Sequence, residues 1–306
     1  MDLSVVVPTL NGRDRLAASL DSLAARAPDT EVVVVNGPSA DGTTGMVRER
    51  DDVDVLVEVA DRCINVARNA GITAASGDAI AMLGFDLRIA EGWVEAVRDG
   101  LAAAGVVSGP IGRGVNEHAT DGPERRTIAG REVTYFSGDN VAFRAATLRD
   151  ALDGFDEYLR TGGARDAAHR LAGTGTDVAW RDDMAATLED GDERRGPQPH
   201  GPDEQSRNWK YRSLSYRLTK NYGPRPTVAR RTLSHAFGDA AAAARAVLGG
   251  DGSPSAWFGS GRDVIAGIAK GGADGLVARA RDRSEVRNPY GLSVEKQRAV
   301  ATYDRR

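Results

Sequence analysis

A chain of 306 residues with a formal charge of −4 and one cysteine, Cys63, is long enough to bury a large core. The single cysteine excludes an intrachain disulfide framework and a cysteine-rich zinc site, so we expect Cys63 to be a small buried residue. No apolar run reaches the roughly 18 residues that cross a bilayer, and the chain opens on a strand pattern without the features of a signal peptide. These features predict a protein of the cytoplasm.

The charge is unevenly divided along the chain. Residues 1–206 carry 36 acidic and 21 basic side chains, residues 207–283 carry 5 acidic and 14 basic ones, and residues 284–306 carry 3 acidic and 5 basic ones. An acidic body joined to a basic C-terminal third indicates an anionic partner for that third. We expect no nucleic acid as that partner, because the acidic body would repel a polyanion and no base-reading motif is present.

The first hundred residues alternate apolar runs with amphipathic ones. "LSVVVPT", "EVVVVNG" and "VDVLVEV" each predict a buried strand, and helical patterns separate them, beginning with "RDRLAASLDSLAARA" and then "TTGMVRER". Strands that are apolar throughout and alternate with helices indicate an α/β fold, in which helices cover both faces of a mostly parallel sheet. The sequence therefore predicts a nucleotide-binding type of layer.

The pattern continues with a helix at "INVARNAGITAAS", a strand at "AIAMLGF" and a helix at "EGWVEAVRDGLAAA". Strands at "GVVSGPI" and "VTYFSGDNVAFR" enclose a polar loop over 112–130, and two short helices and an edge strand at "TDVAW" follow. From "EDGDERRGPQPHGPDEQSRN" the pattern breaks into a linker. We therefore predict one domain over 1–206, with halves at 1–105 and 106–206, and a basic helical region over 207–306.

Four segments resemble the motifs of family 2 glycosyltransferases of the GT-A fold, in the family's order. They are "VVVPTLNGRDRLAASLDSL", "VVVVNGPSADGT", "NVARNAGITAASGDAIAMLGFD" and "SGDNVAFRAATLRDALDGFDEYL", and together they span roughly residues 3 to 180. The resemblance implies the Rossmann-like GT-A sheet, a nucleotide-sugar donor, a Mg²⁺ or Mn²⁺ cofactor and inverting transfer of a hexose to an acceptor hydroxyl. It also implies a glycan or lipid-linked glycan as the acceptor.

The resemblance assigns donor binding to the carboxyl ends of the strands, where open α/β sheets bind their ligands. Pro8, Thr9 and Asn11 would line the base and the ribose. Asn36 stands where the family usually has an aspartate that contacts the nucleoside. The remaining donor-side residues are Asp41, Arg68 and Asn69. Arg68 would pair with phosphate oxygens, and the alternative is an arginine on a helix surface.

The segment "AIAMLGFDLRIAEGW" departs from the family's pair of carboxylates. Gly84 stands at the first acid and Asp86 at the last, with Phe85 between them, so the metal-binding carboxylate remains and its helper is lost. One carboxylate, two phosphate oxygens and waters form a normal coordination shell for Mg²⁺. The alternative is that Asp86 is only a turn residue at a strand end. His200 is the candidate second metal ligand, because a histidine after the last strand sometimes completes the metal site in GT-A enzymes.

The motif that supplies the family's catalytic base is altered as well. Its acidic pair falls on Gly163 and Ala164, which leaves Asp166 as the first candidate for the base that takes the acceptor's proton. A favourable charge at a helix N-terminus explains Asp166 equally well. Asp139 and Asp156 are the reserve candidates.

The segment "FSGDNVAFR" resembles the floor of the family's acceptor pocket. Gly138 and Asp139 would face the sugar, and Asn140 would bind a hydroxyl. His169 shares a helix with Asp166, and we expect it to be structural, as a lone histidine usually is.

The basic third offers two surfaces. "NWKYRSLSYRLTKNYG" sets aromatic and cationic residues on one helical face, which would close over the donor diphosphate or lie on anionic headgroups. The stretch "SAWFGSGRDVIAGIAKGGADGLVARARDR" places Trp257 and Phe258 beside aliphatic residues and arginines, as interfacial helices do, although its glycines weaken that interpretation. The alternative is a set of helices packed on the catalytic body. We predict peripheral attachment to the inner face of the membrane.

A second class of function stays open. Because acids are missing at Gly84, Gly163 and Ala164, the chain also fits a non-catalytic relative that binds nucleotide sugar or a partner enzyme.

Overall fold

The computed structural model describes residues 1–113, 122–188, 207–234, 254–282 and 298–306. Its strands are β1 (Leu3–Thr9), β2 (Glu31–Asn36), β3 (Val55–Val59), β4 (Ala79–Leu83), β5 (Leu87–Ile89), β6 (Val106–Ser108), β7 (Ile111–Arg113), β8 (Arg125–Ile128), β9 (Arg131–Thr134), β10 (Asn140–Arg144), β11 (Val178–Trp180), β12 (Ala186–Leu188) and β13 (Ala299–Asp304). The helices are α1 (Arg13–Arg26), α2 (Thr43–Arg48), α3 (Ile64–Ala74), α4 (Trp93–Ala103), α5 (Gly163–Thr174), α6 (Arg207–Tyr222), α7 (described over 226–234) and α8 (Pro254–Asp282), and Thr147–Ala151 forms a π-helical turn.

An eight-stranded sheet lies at the centre, in the order β11-β6-β10-β4-β1-β2-β3-β13. The four strands β4, β1, β2 and β3 are parallel, as the alternating pattern predicts. Strand β10 lies antiparallel between β4 and β6, so the start of β10 meets the end of β4 at one edge of the sheet. This topology brings residues from distant parts of the chain to the edge where ligands of α/β sheets bind.

Helices cover both faces of the central strands. Val5 and Val7 of β1 lie in the cluster that α1 completes, whereas Val6 between them packs with α3. Each fully buried valine side chain contributes roughly 1.5 to 3 kcal/mol to folding. Gly71 lets α3 approach closely, because a Cβ at this position would collide with Val6.

The segment "VTYFSGDNVAFR" forms two strands in place of the single one predicted. Strand β9 pairs with β8 in a separate hairpin, and β10 belongs to the main sheet. The residues between them, 135–139, leave the hairpin and enter the main sheet beside β4. Ser137, Gly138 and Asp139 interrupt the strand. These residues belong to the segment that the sequence predicts as the floor of the acceptor pocket. The "TDVAW" segment forms β11 at the sheet edge, as predicted.

The C-terminal region packs through a stripe of glycines. A Cβ at Gly267, Gly271 or Gly275 of α8 would collide with the backbone of α6, near positions 208, 212 and 216 respectively. The contact positions increase in number in the same direction along both helices, so α6 and α8 run parallel with their backbones close. The glycines that weaken α8 as an isolated helix therefore form its packing surface.

The C-terminal region is not wholly helical, in contrast to the prediction for 207–306. Strand β13 pairs antiparallel with β3 and completes the edge of the main sheet. Among the helices of the described residues, we find none with the length and apolarity needed to span a membrane. Cys63 is buried, and its thiol lies 3.6 Å from the carbonyl oxygen of Glu157.

Candidate functional site

The loops after β1 and β2 are joined by the amides of two asparagines. Asn11 has a φ of 52°, its backbone N–H donates to Ser39 Oγ at 2.9 Å, and its Oδ1 accepts from the N–H of Ala40 at 2.8 Å. Asn36 is buried, accepts from the Ser39 hydroxyl at 2.7 Å and donates to Thr44 Oγ1 at 2.8 Å. The predicted donor residues Asn11 and Asn36 thus lie together, and these hydrogen bonds fix the shape of this rim.

Asp41 holds the same rim to the start of α1. Its carboxylate accepts from the backbone N–H of Arg13 at 3.1 Å and from the N–H and hydroxyl of Thr43 at 3.1 and 2.5 Å. Burial alone would raise the pKa of Asp41, but these hydrogen bonds outweigh it and lower the pKa. The contacts of Asp41 are those of a residue that caps a helix and a turn.

Thr9 presents a buried polar atom at the end of β1. Its hydroxyl has no hydrogen-bond partner among the described residues, and it lies about 3.1 Å from where a Cβ on Gly12 would stand. Buried polar atoms in native proteins are nearly always satisfied, so the Thr9 hydroxyl remains available to a hydrogen-bond partner at this edge of the sheet. Pro8 precedes it within β1 and is also buried.

Asp86 and Asp139 both lie beside Gly84. A Cβ added to Gly84 would lie 3.2 Å from Asp86 Oδ1 and 3.2 Å from Asp139 Cβ. The Gly84 N–H also donates to the carbonyl oxygen of Asp139 at 2.9 Å. The space of the missing first acid is thus bordered by Asp139, which directly precedes β10, a strand far away in sequence.

Arg68 links this pair to α3. Its Nη2 donates to Asp139 Oδ1 and to the carbonyl oxygen of Gly138, both at 3.0 Å, and its Nη1 donates to Asn65 Oδ1 at 3.2 Å. The side chain is 6% exposed, so the alternative of a helix-surface arginine is wrong. Gly138 gives Arg68 room, because a Cβ there would lie 2.6 Å from Nη2. Arg68 contacts the acceptor segment, and its Nε is buried without a hydrogen-bond partner among the described residues.

The carboxylate of Asp86 is the kind of ligand that a hard divalent cation takes. Mg²⁺ and Mn²⁺ prefer oxygen ligands, and Mg²⁺ commonly takes one or two from the protein and others from substrate phosphates. Within the described residues, no group of three or more His, Cys, Asp or Glu side chains is arranged to hold a metal ion. His200, the predicted second ligand, lies outside the described residues.

Two of the predicted substrate ligands have structural contacts instead. Asn69 is buried, donates to the carbonyl oxygen of Phe155 at 2.8 Å and accepts from the Phe155 N–H at 2.8 Å. Asn140 has no exposed surface, donates to the carbonyl oxygens of Pro110 and Met184, and accepts from Trp93 Nε1 at 3.0 Å. Because these amides are fully buried and hydrogen-bonded to the fold, their geometry does not support the prediction that they bind sugar or phosphate.

Asp166 and Asp156, two of the three candidate bases, lie together in a buried ion-pair cluster. Lys220 of α6 donates to Asp156 Oδ2 at 2.5 Å and to Asp166 Oδ2 at 2.8 Å. Asp166 also accepts from Arg170 Nε at 2.9 Å and from Asn221 Nδ2 at 2.8 Å. Both carboxylates have no exposed surface, so neither is open to an acceptor hydroxyl. We name these residues the buried cluster: Asp156, Asp166, Arg170, Lys220 and Asn221.

Charge within the buried cluster is distributed unequally. Burial alone would raise the pKa of Asp166, but the attraction of Lys220 and Arg170 outweighs it and lowers the pKa to about 2. Burial raises the pKa of Asp156, which has one cationic neighbour, Lys220, and one acidic neighbour, Asp166. Asp166 is therefore the carboxylate that the cluster holds ionised. A strongly paired and buried carboxylate is a poor proton acceptor.

The altered base motif has a steric explanation at one of its two positions. A Cβ at Gly163 would collide with the side-chain amide of Asn65, so no acidic side chain fits there in this packing. Ala164, the second position, packs against Gly138. His169, on the same helix, is buried between Tyr135 and Tyr222, and burial lowers its pKa well below the usual value, as expected of a structural histidine.

The basic face predicted on α6 packs inward. Tyr216 and Lys220 are buried, and Arg212 forms an ion pair with Asp274 at 2.9 Å. The prediction that this face covers the donor diphosphate or the membrane is therefore wrong, and the alternative of a helix packed on the body holds for α6. The pairing of Lys220 with Asp156 and Asp166 had no local signal in the sequence, because its partners lie more than fifty residues away.

Comparisons with known proteins bear on the family and the fold. The family model "Glycosyl transferase family 2" matches residues 4–153. The pre-mycofactocin glycosyltransferase of Mycobacterium tuberculosis is 28% identical over 203 residues, which cover 58% of this chain and 41% of that relative. The chain therefore spans well under two thirds of the length of this curated relative.

Two solved structures share the fold. S. aureus TarS 1–349 in complex with UDP-GlcNAc has a TM-score of 0.56 at 20% identity, over 72% of this chain and 66% of that one. The mannosyltransferase PcManGT from Pyrobaculum calidifontis, in complex with GDP-Man and Mn²⁺, has a TM-score of 0.55 at 21% identity, over 88% and 86% of the two chains. The predicted GT-A architecture is thus confirmed.

Proposed function

We propose, because this chain belongs to the family 2 glycosyltransferases, that it transfers a sugar from a nucleoside-diphosphate sugar to an acceptor hydroxyl with inversion at the anomeric carbon. The observation that carries the proposal is the meeting of Asp86 and Asp139 beside Gly84. It places Asp139, the candidate base, beside Asp86, the candidate metal ligand. The nucleotide-sugar complexes of the two structural relatives support a donor of this class.

In this proposal the donor lies across the carboxyl ends of the strands. The orphaned hydroxyl of Thr9 hydrogen-bonds the nucleoside, while Asn11 and Asn36 keep the rim in shape. Asp86 and the donor phosphates would hold the Mg²⁺ or Mn²⁺ ion. When bound, such an ion offsets negative charge on the diphosphate and makes it a better leaving group.

Asp139 is the proposed catalytic base. Of the three candidate aspartates it is the only one with exposed side-chain surface, 24%, and Arg68 fixes its orientation. Its carboxylate takes the proton of the acceptor hydroxyl as that oxygen attacks the anomeric carbon. The bond from that carbon to the diphosphate oxygen breaks, and the nucleoside diphosphate leaves with the electron pair.

Direct binding measurements test the donor assignment. A panel of nucleotide sugars is titrated into the protein by calorimetry, with Mg²⁺ or Mn²⁺ and with a chelator. We expect one or more donors to bind, and Asp86→Asn to weaken metal-dependent binding at least tenfold. Asp29→Asn removes an exposed carboxylate elsewhere and serves as the matched control. If no nucleotide sugar binds the unaltered protein, the proposal fails.

The buried cluster supports a second candidate, a non-catalytic protein that binds nucleotide sugar or a partner enzyme. Two of the three candidate bases are buried in ion pairs, and position 163 has no room for an acid. Assay of donor hydrolysis and transfer with a panel of acceptors distinguishes the two functions. Donor binding without turnover, unchanged by Asp139→Asn, would favour the non-catalytic function.

Peripheral membrane attachment is a separate proposal about the same protein. Ile265 is 70% exposed on α8, and Leu276 and Val277 are exposed on the same helix, within a segment of net positive charge. The side chains of Trp257 and Phe258 lie outside the described residues. Removing residues 207–306 would also remove Lys220 and β13, so point variants are the cleaner test. We expect Ile265→Ser with Val277→Ser to reduce co-sedimentation with acidic liposomes, and unchanged co-sedimentation would reject the proposal.

A further inference from the structure

A cavity of about 700 Å³ lies between the catalytic body and the C-terminal helices. It is of the size that proteins use for small ligands. Its charged lining comes from the β8–β9 hairpin, α5, α6 and α7, and consists of Glu124, Arg126, Arg165, Lys210, Arg217 and Arg231. Five cations face one carboxylate, which gives these residues a formal charge of +4 inside a body that is otherwise acidic.

The one carboxylate is already paired. Glu124 accepts from Arg165 Nη2 at 2.9 Å and from Arg126 Nε at 3.1 Å. These two ion pairs close the hairpin side of the cavity. The charge of Arg217, on the opposite wall, is therefore not balanced by Glu124.

Arg217 is the decisive residue. It is 9% exposed, it forms no ion pair with any other described residue, and its buried Nε has no hydrogen-bond partner there. Among carboxylates, Asp166 attracts Arg217 most strongly, but the oxygens of Asp166 bond to Lys220, Arg170 and Asn221. A buried cation without a partner costs several kcal/mol, and an anionic ligand removes that cost.

The start of α5 adds to the positive potential in the cavity. Gly162 lines the cavity with a φ of 80°, and a Cβ there would stand 2.7 Å from Arg217 Nη1, so the glycine makes room for the guanidinium. The 12-residue helix α5 begins at the next residue, and no side chain caps its N-terminus. Helix N-termini favour anions, and here the helix supplements the arginine rather than forming the site alone.

The cavity borders the acceptor side of the proposed active site. Gly162 and Arg165 line it, and the two residues between them, Gly163 and Ala164, pack against Asn65 and Gly138. Gly138 precedes the proposed base, Asp139. The first turn of α5 therefore lies between the cavity and the segment that carries Asp139.

We propose that this cavity binds a phosphate or diphosphate group carried by the acceptor, with Arg217 and Arg231 as its main ligands. The proposal rests on the proposed transferase function, since it identifies the acceptor as a phosphate-bearing molecule. A planar guanidinium forms two parallel hydrogen bonds to phosphate oxygens, which suits a dianion in a partly dry cavity. The phosphate has two sources that share this chemistry, a lipid diphosphate and a phosphorylated soluble acceptor.

The test uses inorganic pyrophosphate as the probe, in a chelator that removes divalent metal. We expect pyrophosphate to raise the thermal midpoint of the unaltered protein and to give a measurable Kd by calorimetry. Arg217→Met should weaken this binding at least tenfold, and Arg231→Gln should weaken it as well. Arg230→Gln is the matched control, because Arg230 is exposed, adjacent in sequence and not in the cavity lining.

The free protein gives an independent readout. Since Arg217→Met removes an unpaired buried charge, its thermal midpoint without anion should equal or exceed that of the unaltered protein. A purely structural role for Arg217 would lower the midpoint instead. Pyrophosphate binding that persists in Arg217→Met and Arg231→Gln but disappears in Arg68→Gln would place the anion at the donor site and overturn the proposal.

Two further measurements are needed. One distinguishes the two sources of the phosphate, and the other distinguishes failure of the anion site from failure of the transferase function. Farnesyl diphosphate binding at least tenfold tighter than pyrophosphate would identify a lipid-borne acceptor, whereas equal affinity would identify a soluble phosphorylated one. Nucleotide-sugar binding should be unchanged in Arg217→Met. If pyrophosphate binds in this cavity but no nucleotide sugar binds the protein, the transferase function fails and the anion site stands.

Discussion

Two groups of aspartates in this molecule have similar partners and different environments. Asp86 and Asp139 lie at the open edge of the sheet, with Arg68 beside them, whereas Asp156 and Asp166 lie in the buried cluster around Lys220. The first pair retains access to solvent. The second pair has none, because α6 covers it. Burial, more than residue type, therefore decides which aspartates are available for chemistry.

The largest effect should come from Asp139→Asn. If Asp139 is the base, its loss should lower the rate of transfer by roughly 10²- to 10⁴-fold while donor binding and the thermal midpoint change little. Single-turnover kinetics with saturating donor measures the rate. The same substitution at Asp29, an exposed position, is the control. A rate within threefold of the unaltered protein would contradict the assignment.

A substitution in the buried cluster should instead change the free energy of unfolding. Lys220→Met leaves two buried carboxylates with one fewer cation, so the free energy of unfolding should fall by about 3 to 5 kcal/mol. Lys270→Met, an exposed position on α8, should change it by less than about 0.5 kcal/mol. Urea denaturation followed by circular dichroism measures both. Equal stability of the two variants would mean that the cluster contributes nothing to folding.

Acidic pH should distinguish the buried cluster from the aspartates at the sheet edge, because the folded-state pKa of Asp166 is lowered to about 2 from an ordinary 3.8. Its stabilisation is therefore fully present above pH 4 and is lost as pH falls from about 4 to 2. The loss amounts to about 2 kcal/mol. Asp166→Asn should flatten this part of the stability curve relative to the unaltered protein, measured by denaturation at several pH values. An unchanged slope would show that Asp166 does not titrate with a lowered pKa.

The helix that covers the buried cluster is held by glycine contacts, which gives the smallest expected effect. Gly271→Ala would place a methyl group against the backbone of α6 and should lower the free energy of unfolding by about 1 kcal/mol or more. Gly261→Ala meets nothing within 4 Å and should raise it by up to about 1 kcal/mol. Opposite signs in thermal or urea denaturation would confirm the packing. The same sign for both would contradict it.

The sequence predicts the sheet well because its strands are locally encoded. The runs from Leu3, Glu31 and Ala79 are mostly apolar, and each forms a buried parallel strand. The break between β9 and β10 was not predicted, since both halves have strand character and only tertiary pairing separates them. It is this break that brings Asp139 next to Asp86.

The site is predicted less completely, because its contacts are long-range. Asp86 and Asp139 were both candidates, but their meeting depends on β10 entering the sheet antiparallel to β4. Asp166 and Lys220 are 54 residues apart, and nothing near either residue predicts that they pair. Asn65 closes position 163 and Arg217 lines the cavity, and the segments that contain them do not predict either contact. Sequence patterns identified the edge of the sheet, whereas packing decided which side chains reach it.

Strand β13 has a consequence for handling the protein. It covers the outer hydrogen-bonding edge of β3, whose N–H and C=O groups would otherwise face solvent as a template for another chain. A version that stops before residue 298 would expose that edge beside the valine-rich strands of the sheet. We expect such a truncated protein to self-associate into β-rich aggregates, even if its donor-binding rim remains intact.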